Sequence, residues 1–206
     1  MPVPAWFSET LEREIKPWTT LTVHQIGHLY RHFEFLERWN KRMNLTAIGS
    51  GPEMIVRHYC ESLFFGVHLP GDLNSIADIG SGAGFPGIPM AVLRANWRIT
   101  LLESNQRKAV FLREASRSLG NIVVQSSRAE DVAERFDCLV SRAVAAGDVL
   151  ALIPRLAPRI GMMVGEDDIP VLEATKHVAW SEPVRLPWGD RRVCMFGEYV
   201  SRGTEE

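Results

Sequence analysis

Cysteine is scarce in this 206-residue chain: Cys60, Cys138 and Cys194 lie far apart and form no C-x-x-C pair. Their odd number and wide spacing exclude a disulfide framework and a zinc site, so no metal is expected and the three read as small buried hydrophobes. Long apolar runs are lacking too, and none approaches the roughly 18 residues of a membrane span. The opening MPVPAW, followed by Glu9, Glu12 and Glu14, has neither the basic nor the apolar region of a signal peptide. A cytoplasmic protein with no membrane partner is the expectation. Positive charge is not in excess either, with 23 Lys and Arg against 25 Asp and Glu and a net charge of -2. That balance argues against indiscriminate nucleic-acid binding, which depends on many cations meeting phosphates. Any RNA site must therefore be local. From Glu166 onward nine acids face five bases, which makes the tail the least favourable RNA surface.

What is present is an ordinary globular composition, 46% hydrophobic and 23% charged, on a chain long enough for one sizeable core. Its most informative stretch is SIADIGSGAGFPGIP, Ser75 to Pro89, an apolar run ending in Asp78 and followed by Gly80, Gly82, Gly84 and Gly87. It reads as strand, glycine turn and helix start. Glycine permits positive φ and close ligand approach, and the first free N–H groups of the helix would suit polar or anionic ligand atoms. Pro89 fits an early helical position. A dinucleotide fingerprint needs G-x-G-x-x-G, which from Gly80 would put glycine where Phe85 stands. The spacing G-x-G-x-G instead resembles motif I of S-adenosylmethionine-dependent methyltransferases.

The flanking pattern is regular. Thr22 and Gln25 form a capping box before Ile26, Leu29, Tyr30, Phe33, Leu36, Trp39 and Met43, one apolar face of a helix of about five turns. Arg31, Arg38, Lys41 and Arg42 on its other face, interrupted by Glu34 and Glu37, read as a solvated surface laced with ion pairs. A second helix includes Arg57, His58, Glu61, Ser62 and Leu63, the first three sharing a side. Pro70, Gly71 and Asp72 then break the chain. Strands are predicted at the start of the glycine stretch and at Arg98 to Glu103, Asn121 to Gln125, Phe136 to Ser141 and Ile160 to Val164. Helices follow to about Asn96, over Asn105 to Leu119 and over Gly147 to Leu156. Such alternation gives a parallel sheet covered on both faces. Val178 to Leu186 and Val193 to Val200 form a last pair with no helix between them. An antiparallel final hairpin on a parallel sheet is the habit of Rossmann-like methyltransferases.

Ligands of such sheets bind beyond the carboxyl ends of the strands. Glu103, ending strand 2 about 20 residues past the glycines, can accept hydrogen bonds from two ribose hydroxyls. Ala129 and Glu130 after strand 3 could flank adenine, and Arg142 after strand 4 lies where substrate and cofactor should meet. Ser141-Arg142-Ala143-Val144 lacks the acidic or amide residue and paired prolines that amine methylation uses after strand 4. Cys138 sits inside an apolar strand rather than in the Pro-Cys setting of cytosine C5 chemistry. A ring nitrogen such as guanine N7 needs no general base, so catalysis there means alignment. Arg142 would then position rather than abstract a proton, and it cannot hold N7 itself without blocking the nucleophile.

WNKRMNLTAI, RHYCESL, ADIGSGAGFPGIP, TLLESNQRKAVFLREA, NIVVQSSRAED and FDCLVSRAVA, spanning roughly Trp39 to Ala146, together resemble one family. It is the bacterial small-subunit ribosomal RNA guanine-N7 methyltransferases, the RsmG or glucose-inhibited division protein B family. The resemblance implies a Rossmann-like class I methyltransferase with a mainly parallel seven-stranded sheet, an antiparallel last strand and an N-terminal helical extension. Residues 1–70 would pack as that extension on the core, 71–206, to form one globular unit, expected to be a monomer. It also implies methyl transfer from S-adenosyl-L-methionine to N7 of a guanine in the 530 loop of small-subunit (16S) rRNA, free or in a ribosomal particle. Family cofactor positions fall on Gly80, Phe85, Ala129, Glu130 and Arg142, joining Gly82, Gly84 and Glu103, and substrate-side motifs on Asn44, Arg57 and His58. Two departures stand out: the family often has Asp at Glu61 and a Lys-Gly pair where this chain has Val164-Gly165. The competing readings are a methyltransferase for another RNA or a small molecule, an NAD-dependent oxidoreductase, which Phe85 disfavours, and a cofactor-binding regulator without turnover.

Overall fold

The capping box forms at Thr22, whose hydroxyl accepts from the Gln25 N–H at 3.2 Å while the Gln25 side chain accepts from the Thr22 N–H at 2.9 Å. It starts helix α2, Val23–Met43, which buries Ile26, Leu29, Tyr30, His32, Phe33 and Leu36 along one face. Asn44, with φ +48°, takes the left-handed cap conformation that ends it. The structure, a computed structural model, describes residues 2–49, 51–189 and 191–200. A helix not anticipated from the sequence precedes α2: α1, Ala5–Ile15, which buries Phe7, Leu11 and Ile15. Phe7 meets Phe33 of α2 edge to face, with ring centroids 5.3 Å apart. Each such buried side chain contributes about 1.5–3 kcal/mol before entropy is counted.

The helix expected around Arg57 is a rod of three parts, α3 (Pro52–Met54), a π-helical turn over Ile55–Cys60, and α4 (Glu61–His68). Arg57 and His58 lie in the π-helical turn, whose wider winding changes which residues share a side. The strands follow as β1 (Ser75–Ile79), β2 (Arg98–Leu102), β3 (Ile122–Gln125), β4 (Cys138–Arg142) and β5 (Arg159–Gly165). Between them run α5 (Gly87–Leu93), α6 (Gln106–Ser116), α7 (Ala146–Leu150) and α8 (Ile153–Leu156). The single helix predicted over Gly147 to Leu156 is thus two short ones, with Pro154 starting a new first turn. Helix α9 (Ile169–Glu173) precedes β6 (Val178–Trp180), β7 (Val184–Arg185) and β8 (Arg192–Tyr199).

The sheet order is β3-β2-β1-β4-β5-β8-β6, with β7 also paired to β8. Strands β1 to β5 are parallel, and β8 runs antiparallel between β5 and β6. The sheet therefore has eight strands rather than the seven expected, the short β7 being the addition, while the antiparallel last strand, β8, is as expected. The predicted single strand Val178 to Leu186 is instead two pieces, β6 against the end of β8 and β7 against its start. Pro183 lies between them, where a missing N–H cannot join a ladder.

Side chains alternate across the sheet. Ile76, Cys138, Val140, Met163 and Cys194 join one cluster with the buried residues of α1, α2 and the Arg57 rod. Ala77, Ile79, Leu139, Met162 and Met195 join the other, under α7, α8 and α9. The first 70 residues therefore cover one sheet face. All three cysteines are buried, and burial pushes the thiols of Cys138 and Cys194 up to about 12, which leaves them inert. No described helix is long and apolar enough to cross a membrane.

Candidate functional site

The glycine loop connects β1 to α5 at the carboxyl edge of the sheet. Gly80, Gly82 and Gly84 have φ of +68°, +56° and +91°. The N–H groups of Gly80 and Ser81 donate to the Leu102 carbonyl at 2.9 and 3.1 Å and tie the loop to the end of β2. A Cβ at Gly80 would meet Val144 at 2.8 Å, and one at Gly87 would meet the Asp78 carboxylate at 2.6 Å. At Gly82 the nearest atom would be the Gly80 carbonyl, at 3.7 Å. Gly80 and Gly87 are thus glycines because protein packs on them; Gly82 opens outward.

The start of α5 differs from expectation. Its first N–H, that of Gly87, donates to Asp78 Oδ2 at 3.1 Å, so a side chain of the protein already serves it. Burial pushes the Asp78 carboxyl up to about 7, while the Gly87 bond acts in the opposite direction.

Glu103 follows β2, as expected of the ribose carboxylate. Its Oε2 accepts from the Gly82 N–H at 3.0 Å and its Oε1 from the Asn105 N–H at 2.8 Å. Each oxygen keeps further acceptor capacity for a hydroxyl. Ala129 and Glu130 form a 3₁₀ turn whose carbonyls each accept from Arg155 at 3.0 Å. Just before it, the hydroxyls of Ser126 and Ser127 are buried without a hydrogen-bond partner among the described residues. Open backbone at Gly82, a carboxylate beside it and unpaired hydroxyls past β3 fit an adenosine-bearing ligand.

Arg142 closes the edge at the end of β4. Its Nη2 donates to the Arg57 carbonyl at 2.8 Å and to Glu61 Oε2 at 3.0 Å, and its Nη1 is buried without a hydrogen-bond partner among the described residues. The next residue, Ala143, has φ +58°, a strained turn that brings Val144 onto Gly80. Glu61 is fully buried and collects three guanidiniums: Arg142, Arg57 at 3.6 Å and Arg192 of β8 in a two-pronged pair. These four residues line a cavity of about 330 Å³ that also includes Val164 and Gly165, the pair standing where the family has Lys-Gly.

Of the expected substrate-side residues Asn44, Arg57 and His58, Arg57 pairs with Glu61, but His58 turns elsewhere. Its ring lies flat on Phe85, with centroids 4.4 Å apart and planes 10° apart, and its Nε2 meets Thr46 Oγ1 at 2.7 Å. Burial lowers His58 to about 3, aided by Arg142, and keeps it neutral. Phe85 is enclosed by His58, His32 and Tyr59, so only its backbone faces the loop. Asn44 is exposed at the end of α2. In the same motif Asn40 holds Thr46 through two hydrogen bonds of 3.0 and 2.9 Å.

Two contributors escaped sequence reasoning. His32 donates from Nε2 to the Ala83 carbonyl at 2.9 Å, so its Nδ1 must accept from the Tyr59 hydroxyl at 2.8 Å, a neutral ring that braces the glycine loop. Its place on the apolar face of α2 was the available signal. Arg192 gave none, because β8 is far from Glu61 in sequence. The ion pairs expected along α2 are also a correction: among the described residues Arg31, Arg38, Lys41 and Arg42 pair with no carboxylate, and Arg38 instead stacks over Phe35 at 4.7 Å.

Sheet order, glycine loop and strand-end carboxylate together define a class I S-adenosylmethionine-dependent methyltransferase fold. Solved structures agree. A SAM-dependent methyltransferase from Aquifex aeolicus superimposes with a TM-score of 0.58 at 12% identity, covering 72% of this chain and 94% of that one. The ribosomal protein L11 methylase from Lactobacillus delbrueckii subsp. bulgaricus gives 0.56 at 16% identity, covering 70% and 79%. The chain belongs to the rRNA small subunit methyltransferase G (GidB) family, whose model matches residues 25–164. Ribosomal RNA small subunit methyltransferase G of Nitrosomonas europaea is 44% identical over 59% of this chain and 58% of its own length. That of Stenotrophomonas maltophilia is 42% identical over 75% and 72%.

Proposed function

We propose that this protein transfers a methyl group from S-adenosyl-L-methionine to N7 of a guanine in the 530 loop of small-subunit rRNA, as a cytoplasmic monomer. The observation that carries the reading is the placement of Gly82, Glu103 and Arg142 at the carboxyl ends of the adjacent strands β1, β2 and β4, in a chain of this family. Gly80, Gly82, Gly84 and the Phe85 backbone would cradle the methionine end, Glu103 the ribose, and Ala129 and Glu130 the adenine. When bound there, the cofactor supplies an electrophilic methyl group on sulfur.

The chain's own groups favour a nucleophile that needs no deprotonation. Glu61 is held by three guanidiniums, and burial has stripped His58 of basicity near neutral pH. Guanine N7 presents its lone pair already free, so what remains is alignment, with Arg142 positioning through O6, a phosphate or the cofactor carboxylate. Residues 1–70 form the substrate-side extension on a core of 71–206, with Arg57 and Asn44 reaching RNA and His58 fixing the Thr46 loop. The test incubates undermethylated small-subunit rRNA, free and as assembled particles, with the protein and methyl-labelled cofactor. Label at guanine N7 of the 530 loop is expected. Label at another atom, or none on either substrate, refutes the assignment.

A further inference from the structure

A second cavity shares none of its lining residues with the one around Glu61. It is a groove of about 580 Å³ where the last turns of α2 meet the first turn of α6. Arg38, Lys41 and Arg42 line it from α2 and Arg107 from α6, with Trp39 and Val110 as apolar lining. All four cations are exposed, and no carboxylate lines the groove. In a chain of net charge -2, that is a strong local reversal of sign.

Helix electrostatics account for only part of it. Lys41 and Arg42 sit in the last turn of α2, where cations are favoured by the helix dipole. Arg107 sits in the first turn of α6, which holds no acid of its own and where the dipole disfavours a cation. A position that is unfavourable for its own helix points to a charge used by something outside. Trp39 is braced edge to face on Phe111 at 5.8 Å, giving a fixed aromatic wall. A cationic groove with an aromatic wall is the combination that single-stranded nucleic acid fits. Lys41 also lines a neighbouring cavity of about 370 Å³ that reaches Met54, just before the π-helical turn holding Arg57.

We propose that the groove between α2 and α6 is a second RNA site, which grips the sugar-phosphate backbone flanking the target nucleotide through Arg38, Lys41, Arg42 and Arg107. It rests on the reading of the protein as an rRNA methyltransferase and adds where the strand runs next to the reacting base. Phosphate contacts there would set register, not sequence.

The test compares wild type, Arg42→Ala/Arg107→Ala and Arg42→Lys/Arg107→Lys, all loaded with S-adenosylmethionine, in salt titrations of binding to undermethylated small-subunit rRNA. Loss of two phosphate contacts should weaken binding about tenfold and flatten the slope of log affinity against log salt by about 1.4, at about 0.7 per single-stranded phosphate. The lysine pair should keep the slope, because a phosphate accepts a point charge. Calorimetry should give all three the same cofactor affinity, which also confirms folding. Wild-type affinity and slope in the alanine pair overturn the proposal while leaving the proposed activity standing. So does a groove whose alanine pair loses binding to polyglutamate but not to rRNA. A wild type that neither binds nor methylates rRNA removes both.

Discussion

Two clusters of arginine lie on this molecule, and they solve opposite problems. Around Glu61, three guanidiniums share one fully buried carboxylate, and their geometry is set by partners inside the protein. In the groove between α2 and α6, four cations face water with no carboxylate on the walls. Desolvated charges must find partners at once or cost several kcal/mol each, whereas exposed ones can wait for a ligand. The glycine loop repeats the contrast on a smaller scale. Gly87 is hemmed in by Asp78 and Leu101, whereas a Cβ at Gly82 would meet nothing closer than 3.7 Å. Groups satisfied from within should register in stability, and groups left open should register in binding.

The largest effect is expected where the inner kind is broken. Glu61→Gln leaves three guanidiniums, two of them largely buried, without a counter-charge, and should cost about 3 kcal/mol. Urea unfolding measures it as a lower midpoint at unchanged slope. Glu61→Asp keeps the charge and should lose less. A loss below about 1 kcal/mol for the glutamine variant would show that the cluster is no organising element.

Gly82→Val tests the open kind. A Cβ here meets nothing closer than 3.7 Å, so the main cost to the folded state is the strain of positive φ, about 1–2 kcal/mol. Cofactor affinity, in contrast, should fall at least tenfold by calorimetry, because the branches occupy the approach side of the loop. Unchanged affinity would move the methionine end of the cofactor away from Gly82.

Titration gives a smaller effect with two opposing signs. His32 and His58 are lowered by burial to about 4 and about 3 from 6.5. Their stabilising contribution is therefore present above pH 6.5 and lost as pH falls toward those values. Asp78, raised from 3.8 to about 7, contributes most below its unfolded value and loses that contribution as pH rises through 7. Two histidines outweigh one aspartate, so wild-type stability should decline from pH 7 to 5. Asp78→Asn should steepen the decline and His32→Gln should make it shallower. A flatter profile for Asp78→Asn reverses the sign assigned to it.

The same division explains what could be read before the fold was known. The G-x-G-x-G spacing, the capping box at Thr22 and the acid ending β2 are local patterns, and the structure places each where the pattern indicated. Pairings across the chain were not legible: Arg192 reaches Glu61 from β8, and His32 reaches the Ala83 carbonyl from α2. Even local patterns failed where spacing was ambiguous. The π-helical turn separates His58 from Arg57 and Glu61, although regular helical winding would have grouped all three. The short helix α1 was missed, since its buried Phe7, Leu11 and Ile15 are only three positions.

The smallest effect is expected on the stability of the groove itself. Arg38→Ala, Arg42→Ala and Arg107→Ala remove exposed side chains that no described carboxylate pairs with, so each should shift the unfolding free energy by no more than about 0.5 kcal/mol. Arg107→Ala should even be neutral to slightly stabilising, because it removes a cation from the positive end of α6. Thermal unfolding at low and high salt measures this directly, since screening weakens a dipole interaction at the surface and should erase the gain. A clear loss of stability in Arg107→Ala would mean that the residue works for the fold. The groove would then be of the inner kind, and its charge would need no RNA to explain it.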